Sequence, residues 1–322
     1  MQLGANIFVA GSNGLVGSAL VRNLRRQGYG HLLTPRRREL DLTRQELTLE
    51  FFRKERPEYV FLAAAKVGGI LANSRYPADF IYENLNIQCN VIRAAHEVGV
   101  ERLLFLGSSC IYPKHAPQPL REDSLLTGEL EPTNEPYAVA KIAGIKMCQA
   151  FNRQHGTSFL SVMPTNLYGP GDNFDLESSH VLPALLRKFH EAKENGDPEV
   201  VVWGTGVPRR EFLHVNDLAD ACIFIMNLKN DEVAATFLDP LQPSFVNVGW
   251  GSDISIRDLA EMIREIVGFN GRLKFDTTKP DGTPRKILDV TRMRGLGWKA
   301  SIELKAGIEA TYRWFLDQRK GA

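Results

Sequence analysis

Asn6-Ile7-Phe8-Val9-Ala10-Gly11-Ser12-Asn13-Gly14-Leu15-Val16-Gly17 reads as a buried strand, a sharp glycine turn and the start of a helix. A continuous apolar run stopped by glycine fits a strand covered on both faces, as in parallel sheets. The helix is expected to run to about Gln27, with Leu15, Ala19 and Leu24 towards the sheet and Gly28 just past its end. Glycines spaced GxxGxxG let the chain turn sharply, let backbone N–H groups approach a pyrophosphate, and let the helix aim its positive end at the phosphates. Such a cluster can also be a plain tight turn. Its place between a first strand and a first helix points to a dinucleotide held by Gly11, Ser12, Asn13, Gly14, Leu15, Val16 and Gly17.

The next strand, His31 to Thr34, ends at Pro35-Arg36-Arg37-Arg38. An acidic residue near here would hold a ribose 2′-hydroxyl, whereas arginine accommodates a 2′-phosphate. Three arginines and no acid at that turn favour NADP, with Arg37 the expected contact and Asp41 and Leu42 following towards the adenine. A solvated charge run is the bland alternative, set aside because of where this one lies. Tyr59 to Ala65 reads as another buried strand, leading to Lys66-Val67-Gly68-Gly69, and Pro77 to Val98 as a helix with Ile81, Leu85, Cys89, Ile92 and Ala95 at helical spacing.

Then comes Leu103-Leu104-Phe105-Leu106-Gly107-Ser108-Ser109-Cys110-Ile111-Tyr112, a strand whose carboxyl end carries two hydroxyls and a thiol. Ligands of open α/β sheets bind at such ends, so Leu106, Gly107, Ser108 and Ser109 are expected to border the cofactor. On an extended chain Ser108 and Cys110 share a side and Ser109 faces away. Alternation of strands and helices implies an α/β fold of the Rossmann type, a doubly wound parallel sheet. After a proline-rich loop from Pro113 to Pro136, Tyr137-Ala138-Val139-Ala140-Lys141 opens a helix that continues to about Gln154 and puts Tyr137 and Lys141 on one face. Beyond Pro170 the pattern changes. Residues 1–165 are read as the NADP-binding domain, rejoined by the chain around 210–250, and 166–209 with 251–322 as a smaller α/β substrate-binding lobe.

The 322 residues are 43% apolar and 24% charged, near the globular average. With 39 basic and 38 acidic residues the net charge is +1, which gives no electrostatic case for nucleic acid or an anionic membrane as partner. Cysteines 89, 110, 148 and 222 show neither CxxC spacing nor a dense framework, which favours a reducing compartment and no metal. The start of the chain runs straight into a strand, and no apolar stretch is long enough to span a bilayer, so a cytoplasmic protein is expected.

Gly11 to Gly17, Ser108, Tyr137 and Lys141 together resemble the extended short-chain dehydrogenase/reductase superfamily. Within it, Ala63 to Ile70, Gly107 to Pro113, Pro132 to Tyr137, Met163 to Pro170, Val201 to Gly204, Arg210 to Val215 and Lys279 to Lys286 resemble the epimerase-reductases acting on GDP-4-keto-6-deoxy-D-mannose. The resemblance covers nearly the whole chain. It implies NADPH-dependent 3,5-epimerisation and 4-reduction to GDP-L-fucose by a homodimer. Tyr137 is then the proton donor to the C4 carbonyl oxygen, Ser108 a hydrogen-bond donor to it, and Lys141 the cation beside them. Cys110 and His180 are the epimerisation base and acid. Pro164, Thr165, Asn166, Leu167, Lys141 and His180 join the cofactor contacts, and Lys188, Trp203, Arg210 and Asp281 meet the GDP-sugar. Asn13 and Lys188 stand where members often carry arginine.

Other uses of the fold fit this chain less well. A dehydratase resembling this group places Asp-Glu or Ser-Glu after the catalytic hydroxyl, where this chain has Ser109-Cys110. A nucleotide-sugar 4-epimerase needs no extra thiol and binds NAD, against the arginine turn. An NADP-sensing regulator typically loses the tyrosine or lysine, both present here.

Overall fold

The computed structural model describes residues 1–176, 178–279 and 281–320, without the side chains of Ile70 and Leu71. Pro280 of the 279–286 stretch and residues 321–322 lie outside the described residues. Six parallel strands form the main sheet, in the order Phe245–Val248, Phe159–Pro164, Arg102–Leu106, Tyr59–Leu62, Ile7–Ala10, Leu32–Leu33. The chain moves from Ile7–Ala10 to the edge strand on one side, then crosses to Tyr59–Leu62 on the other. This reversal opens a crevice beside the first strand at its carboxyl end, where the glycine turn lies.

Alternating side chains feed two separate cores. Ile7, Val9, Phe61, Leu104, Leu160 and Val246 meet the helices Leu15–Arg26 and Val215–Met226 on one face. Phe8, Val60, Leu103, Phe105, Phe159 and Phe245 meet the helices Gln45–Glu55, Pro77–Val98 and Glu135–His155 on the other. Both faces are covered, which is why these strands are unbroken apolar runs. The helix Val215–Met226 packs on one face of the main sheet, and Phe245–Val248 is its edge strand. A third core, built on Tyr168, Leu186, Phe189, Val202, Leu259 and Ile308, joins the helices Val181–Asn195, Ile256–Val267 and Leu304–Lys320 to the parallel pair Glu199–Trp203 and Arg272–Asp276. Leu288, Val290, Met293 and Trp298 pack into the first two cores, so this part of the 251–322 tract contacts the sheet.

Several elements are shorter or differently turned than the sequence predicts. The strand expected over His31–Thr34 is only Leu32–Leu33, and that over Tyr59–Ala65 stops at Leu62, because pairing with Ile7–Ala10 ends there. The helix Pro77–Val98 has the expected bounds, but its buried side is Phe80, Asn84, Gln88, Val91, Ile92, Ala94 and Ala95, with Cys89 exposed. Two amides sit in that buried stripe because they are bonded. Asn84 Nδ2 donates to the carbonyls of Phe80 and Lys66, and Gln88 Nε2 donates to that of Ala140 at 2.7 Å.

Gly144 shows how closely the helix Glu135–His155 lies on the sheet. A Cβ there would overlap the Phe105 ring and come within 2.9 Å of Gln88 Oε1. Gly→Ala inside a helix ordinarily stabilises by about 1 kcal/mol. Here overpacking outweighs propensity, and Gly144→Ala is expected to lower stability by about 1–3 kcal/mol in urea unfolding. A rise in the unfolding midpoint would show that the ring moves aside freely.

Candidate active site

The glycine turn fits a dinucleotide phosphate on geometric grounds. Gly11 has φ +83°, and a Cβ there would lie 2.8 Å from the Ala64 backbone, so only glycine fits. A Cβ on Gly17 would collide with the Gly11 carbonyl, which brings the helix hard against the strand end. Gly14, by contrast, faces open space apart from the Gly11 oxygen at 3.5 Å. No side chain caps the helix Leu15–Arg26, and its first turn holds no acid, so its positive end is available to an anion. Ser12 is buried, with Oγ 3.4 Å from the Thr34 carbonyl.

Ser108 follows the strand Arg102–Leu106, but the chain does not stay extended as predicted. Ser109–Ile111 forms a short 3₁₀ turn that Ser108 caps, its Oγ accepting from the Cys110 N–H at 3.4 Å. The turn buries Ser109 and still delivers Cys110 to the same side as Ser108, by a tight bend instead of two-residue alternation. A Cβ on Gly107 would overlap the end of the Met163 side chain, which would have to move.

Tyr137 and Lys141 sit one turn apart on the helix Glu135–His155. Lys141 Nζ lies 5.7 Å from the Tyr137 ring centroid and 4.9 Å from that of Phe105. The side chain is buried and donates to the Leu106 carbonyl at 2.8 Å, which ties the helix to the strand end. Burial lowers its pKa to about 8, against an upward pull from Cys110. The Tyr137 hydroxyl is raised above its ordinary value, first by burial and then by the Cys110 charge, while a hydrogen bond from Ser108 opposes both. Burial, and not the neighbouring lysine, sets the direction of the shift at this tyrosine. Tyr137, Ser108, Cys110 and Lys141 thus form one interacting group.

Burial raises the Cys110 thiol, and Lys286, the Ser108 hydroxyl and Lys141 pull it back, in that order. His180, at the N-cap of Val181–Asn195, has its pKa lowered by the surrounding protein and then by Lys286. Lys286 therefore acts on both groups. It lies within the 279–286 stretch, where no local signal marks it as a site residue. Its position is set by parallel pairing of Arg285–Lys286 with Arg209–Arg210, which puts Lys286 opposite Arg210. Nothing local in the sequence signals that pairing.

The expected substrate residues fall on one side of the second lobe. Trp203 is half exposed, with Lys188 Nζ 5.1 Å and Lys279 Nζ 5.5 Å from its ring centroid. Lys279 is a second cation that sequence reading left out. Arg210 donates to the Thr283 carbonyl and, at 2.8 Å, to that of Arg209. Asp281 is occupied by Thr205, accepting from its N–H at 2.9 Å and its hydroxyl at 2.7 Å, so it braces the turn between Trp203 and Arg210. At the far end of the crevice Asp41 accepts from Thr43 N–H and hydroxyl, the Leu42 carbonyl accepts from Asn90, and Arg37 pairs with Glu83 at 3.2 Å. Pro164 closes its strand. Thr165 and Asn166 donate side-chain bonds to the Glu211 carbonyl, and Leu167 pairs with Leu213.

Residues 7–238 match the NAD dependent epimerase/dehydratase family. Over 312 residues the chain is 60% identical to "GDP-L-fucose synthase 1" of Arabidopsis thaliana, covering 97% of this chain and 93% of that one. It is 56% identical over 315 residues to the "GDP-L-fucose synthase" of Escherichia coli K12, covering 97% of each. Among solved structures, "MlghC, GDP-mannoheptose C4 reductase from Campylobacter jejuni with NADP bound" superposes with a TM-score of 0.89 at 42% identity, over 98% of this chain and 99% of that one.

The coupling between thiol and ammonium is directly measurable. Lys141, observed by NMR through its ε-methylene, is expected to titrate near 8, and in Cys110→Ala to titrate lower, since the thiolate's upward pull is gone. An unchanged or higher value in the variant would mean that the two groups do not interact.

Proposed function

The chain belongs to the NAD dependent epimerase/dehydratase family, and we propose that it converts GDP-4-keto-6-deoxy-D-mannose to GDP-L-fucose by 3,5-epimerisation and reduction at C4. It is an NADP-dependent oxidoreductase. The observation that carries this reading is a thiol placed beside a serine-tyrosine carbonyl site in a chain 56–60% identical to GDP-L-fucose synthases.

Bound NADPH supplies the hydride that reduces C4. The rest falls to the chain's own side chains. Ser108 and Tyr137 bind the C4 carbonyl oxygen, and the same two donors stabilise the enolate formed when a proton leaves C3 or C5. One carbonyl thus activates both neighbouring carbons. Cys110 removes the proton: burial makes its thiolate a stronger but scarcer base, and Lys286 and Lys141 offset part of that cost. His180 returns a proton on the opposite face. Its lowered pKa makes the imidazolium a stronger acid and at the same time a less populated one. Tyr137 finally protonates the alkoxide as C4 is reduced, and Lys141 replaces part of the lost solvation of the phenolate. Reduction removes the ketone and so freezes both stereocentres. Lys188, Trp203 and Arg210 offer two cations and a flat face to a GDP group, with Asp281 holding the turn that carries them.

The reading of the protein as a homodimer is supported by Tyr82 and Val139, exposed on the helices Pro77–Val98 and Glu135–His155. Among the described residues no helix is long and apolar enough to cross a membrane, and the four cysteines are free, in keeping with a cytoplasmic site of action.

Cys110→Ser is expected to lose epimerisation, and Tyr137→Phe to lose reduction by about two to four powers of ten. NMR of the products from GDP-4-keto-6-deoxy-D-mannose and NADPH separates these effects. Normal GDP-fucose from Cys110→Ser would remove the base assignment, and C4 reduction without epimerisation by the unmodified protein would make it a simple reductase. Sedimentation equilibrium should give a dimer that Tyr82→Glu weakens; a monomeric parent protein would exclude the proposed interface.

A further inference from the structure

The turn after the strand Leu32–Leu33 holds three arginines and no acid, yet the fold brings an acid to it from another element. Glu83, on the helix Pro77–Val98, lies 3.2 Å from the Arg37 guanidinium and 2.6 Å from Lys66 Nζ. Lys66 also pairs with Asp79 at 3.1 Å, so two cations and two carboxylates cancel. Lys66 follows the strand Tyr59–Leu62 and Arg37 follows Leu32–Leu33, and these strands flank Ile7–Ala10 on its two sides. Glu83 therefore bridges cations from both sides of the strand that runs into the glycine turn, at the adenosine end of the crevice.

We propose that Glu83 is a specificity-determining residue for the cofactor, its carboxylate engaging the guanidinium that a ribose 2′-phosphate needs and so weakening NADPH relative to NADH. The assignment rests on NADP being the cofactor and on Arg37 meeting its 2′-phosphate. That phosphate brings a charge of about −1.5 to −2. It must share Arg37 with a carboxylate already bonded to it, and Lys66, the other cation on that carboxylate, is itself divided between Glu83 and Asp79. Asn13 is uncharged, and Arg38 leans to Glu39 at 3.9 Å. Glu83 cannot simply turn away, because its side chain is only 20% exposed and Lys66 holds it. Arg37 is 75% exposed, so the effect is that of a solvent-screened pair.

The test is fluorescence titration of the full-length protein with NADPH and with NADH at low salt, for the parent, Glu83→Gln, Arg37→Ala and the double variant. Glu83→Gln is expected to tighten NADPH by about three- to fivefold. NADH should change by less than about twofold, the gain should fade towards about 1 M salt, and it should vanish in the Arg37→Ala background. Weaker NADPH binding in Glu83→Gln would overturn the proposal, showing that the carboxylate prepositions Arg37 instead. An equal shift for both cofactors, or a gain that survives Arg37→Ala, would overturn it as well. If Arg37→Ala leaves the affinity for NADPH relative to NADH as it is in the parent, and does the same in the Glu83→Gln background, the underlying placement of the 2′-phosphate fails, and that result is separate from any effect of Glu83.

Discussion

The bond from Lys141 Nζ to the Leu106 carbonyl holds the reactive part of this molecule together. A cation buried in an apolar sheet-helix junction is costly unless its donors are satisfied. Here a carbonyl at the strand end and two aromatic faces receive it. The bond fixes the helix Glu135–His155 against the end of the strand Arg102–Leu106, and so brings Tyr137 up to Ser108 and Cys110. Gly144 and Gly107 allow the approach, each at a place where a methyl group would strike a neighbouring side chain. Reactivity follows from the same closeness. Burial is the first cause of the shifts at Tyr137, Cys110 and Lys141; Cys110 comes next for Tyr137 and Lys141, and Lys286 comes next for Cys110, so the site behaves as a coupled unit.

A second buried charge joins the two lobes. The Glu211 carboxylate accepts from the N–H groups of Gly251 at 2.6 Å and Leu288 at 2.9 Å, while its carbonyl takes Thr165 and Asn166. Burial raises its pKa and these backbone donors lower it. One residue thereby fixes the strand ends that carry Arg210 and Lys286 to the far end of the Rossmann sheet. The parallel pairing of the two short strands sets the cation pair, and this anchor ties that pairing to the sheet.

Sequence pattern reached far in the first half of the chain. Apolar runs of four or five residues stopped by glycine are dictated by burial on both faces of a parallel sheet, and glycine spacing is dictated by close backbone approach. Both are local, so both can be read without a structure. Helix phase was less legible. Asn84 and Gln88 occupy the buried stripe of Pro77–Val98 because distant carbonyls satisfy them, and no hydropathy pattern contains those partners. The chain after Ser108 is a 3₁₀ turn capped by Ser108 and not the extended segment that its strand predicts, because the cap is a contact that alternation does not encode.

By itself, then, the sequence determined the parallel sheet, the dinucleotide turn, the tyrosine-lysine helix and, through extended resemblance, the chemistry expected of them. Tertiary structure alone decided what each charge faces. Lys286 reaches the environment of Cys110 and His180 because short strands far apart in the chain pair in parallel. Lys279 joins Lys188 over Trp203, and Glu83 meets Arg37 across an intervening strand. Each of these depends on contacts between residues dozens of positions apart, and electrostatic energy follows distance in space, which local pattern does not encode.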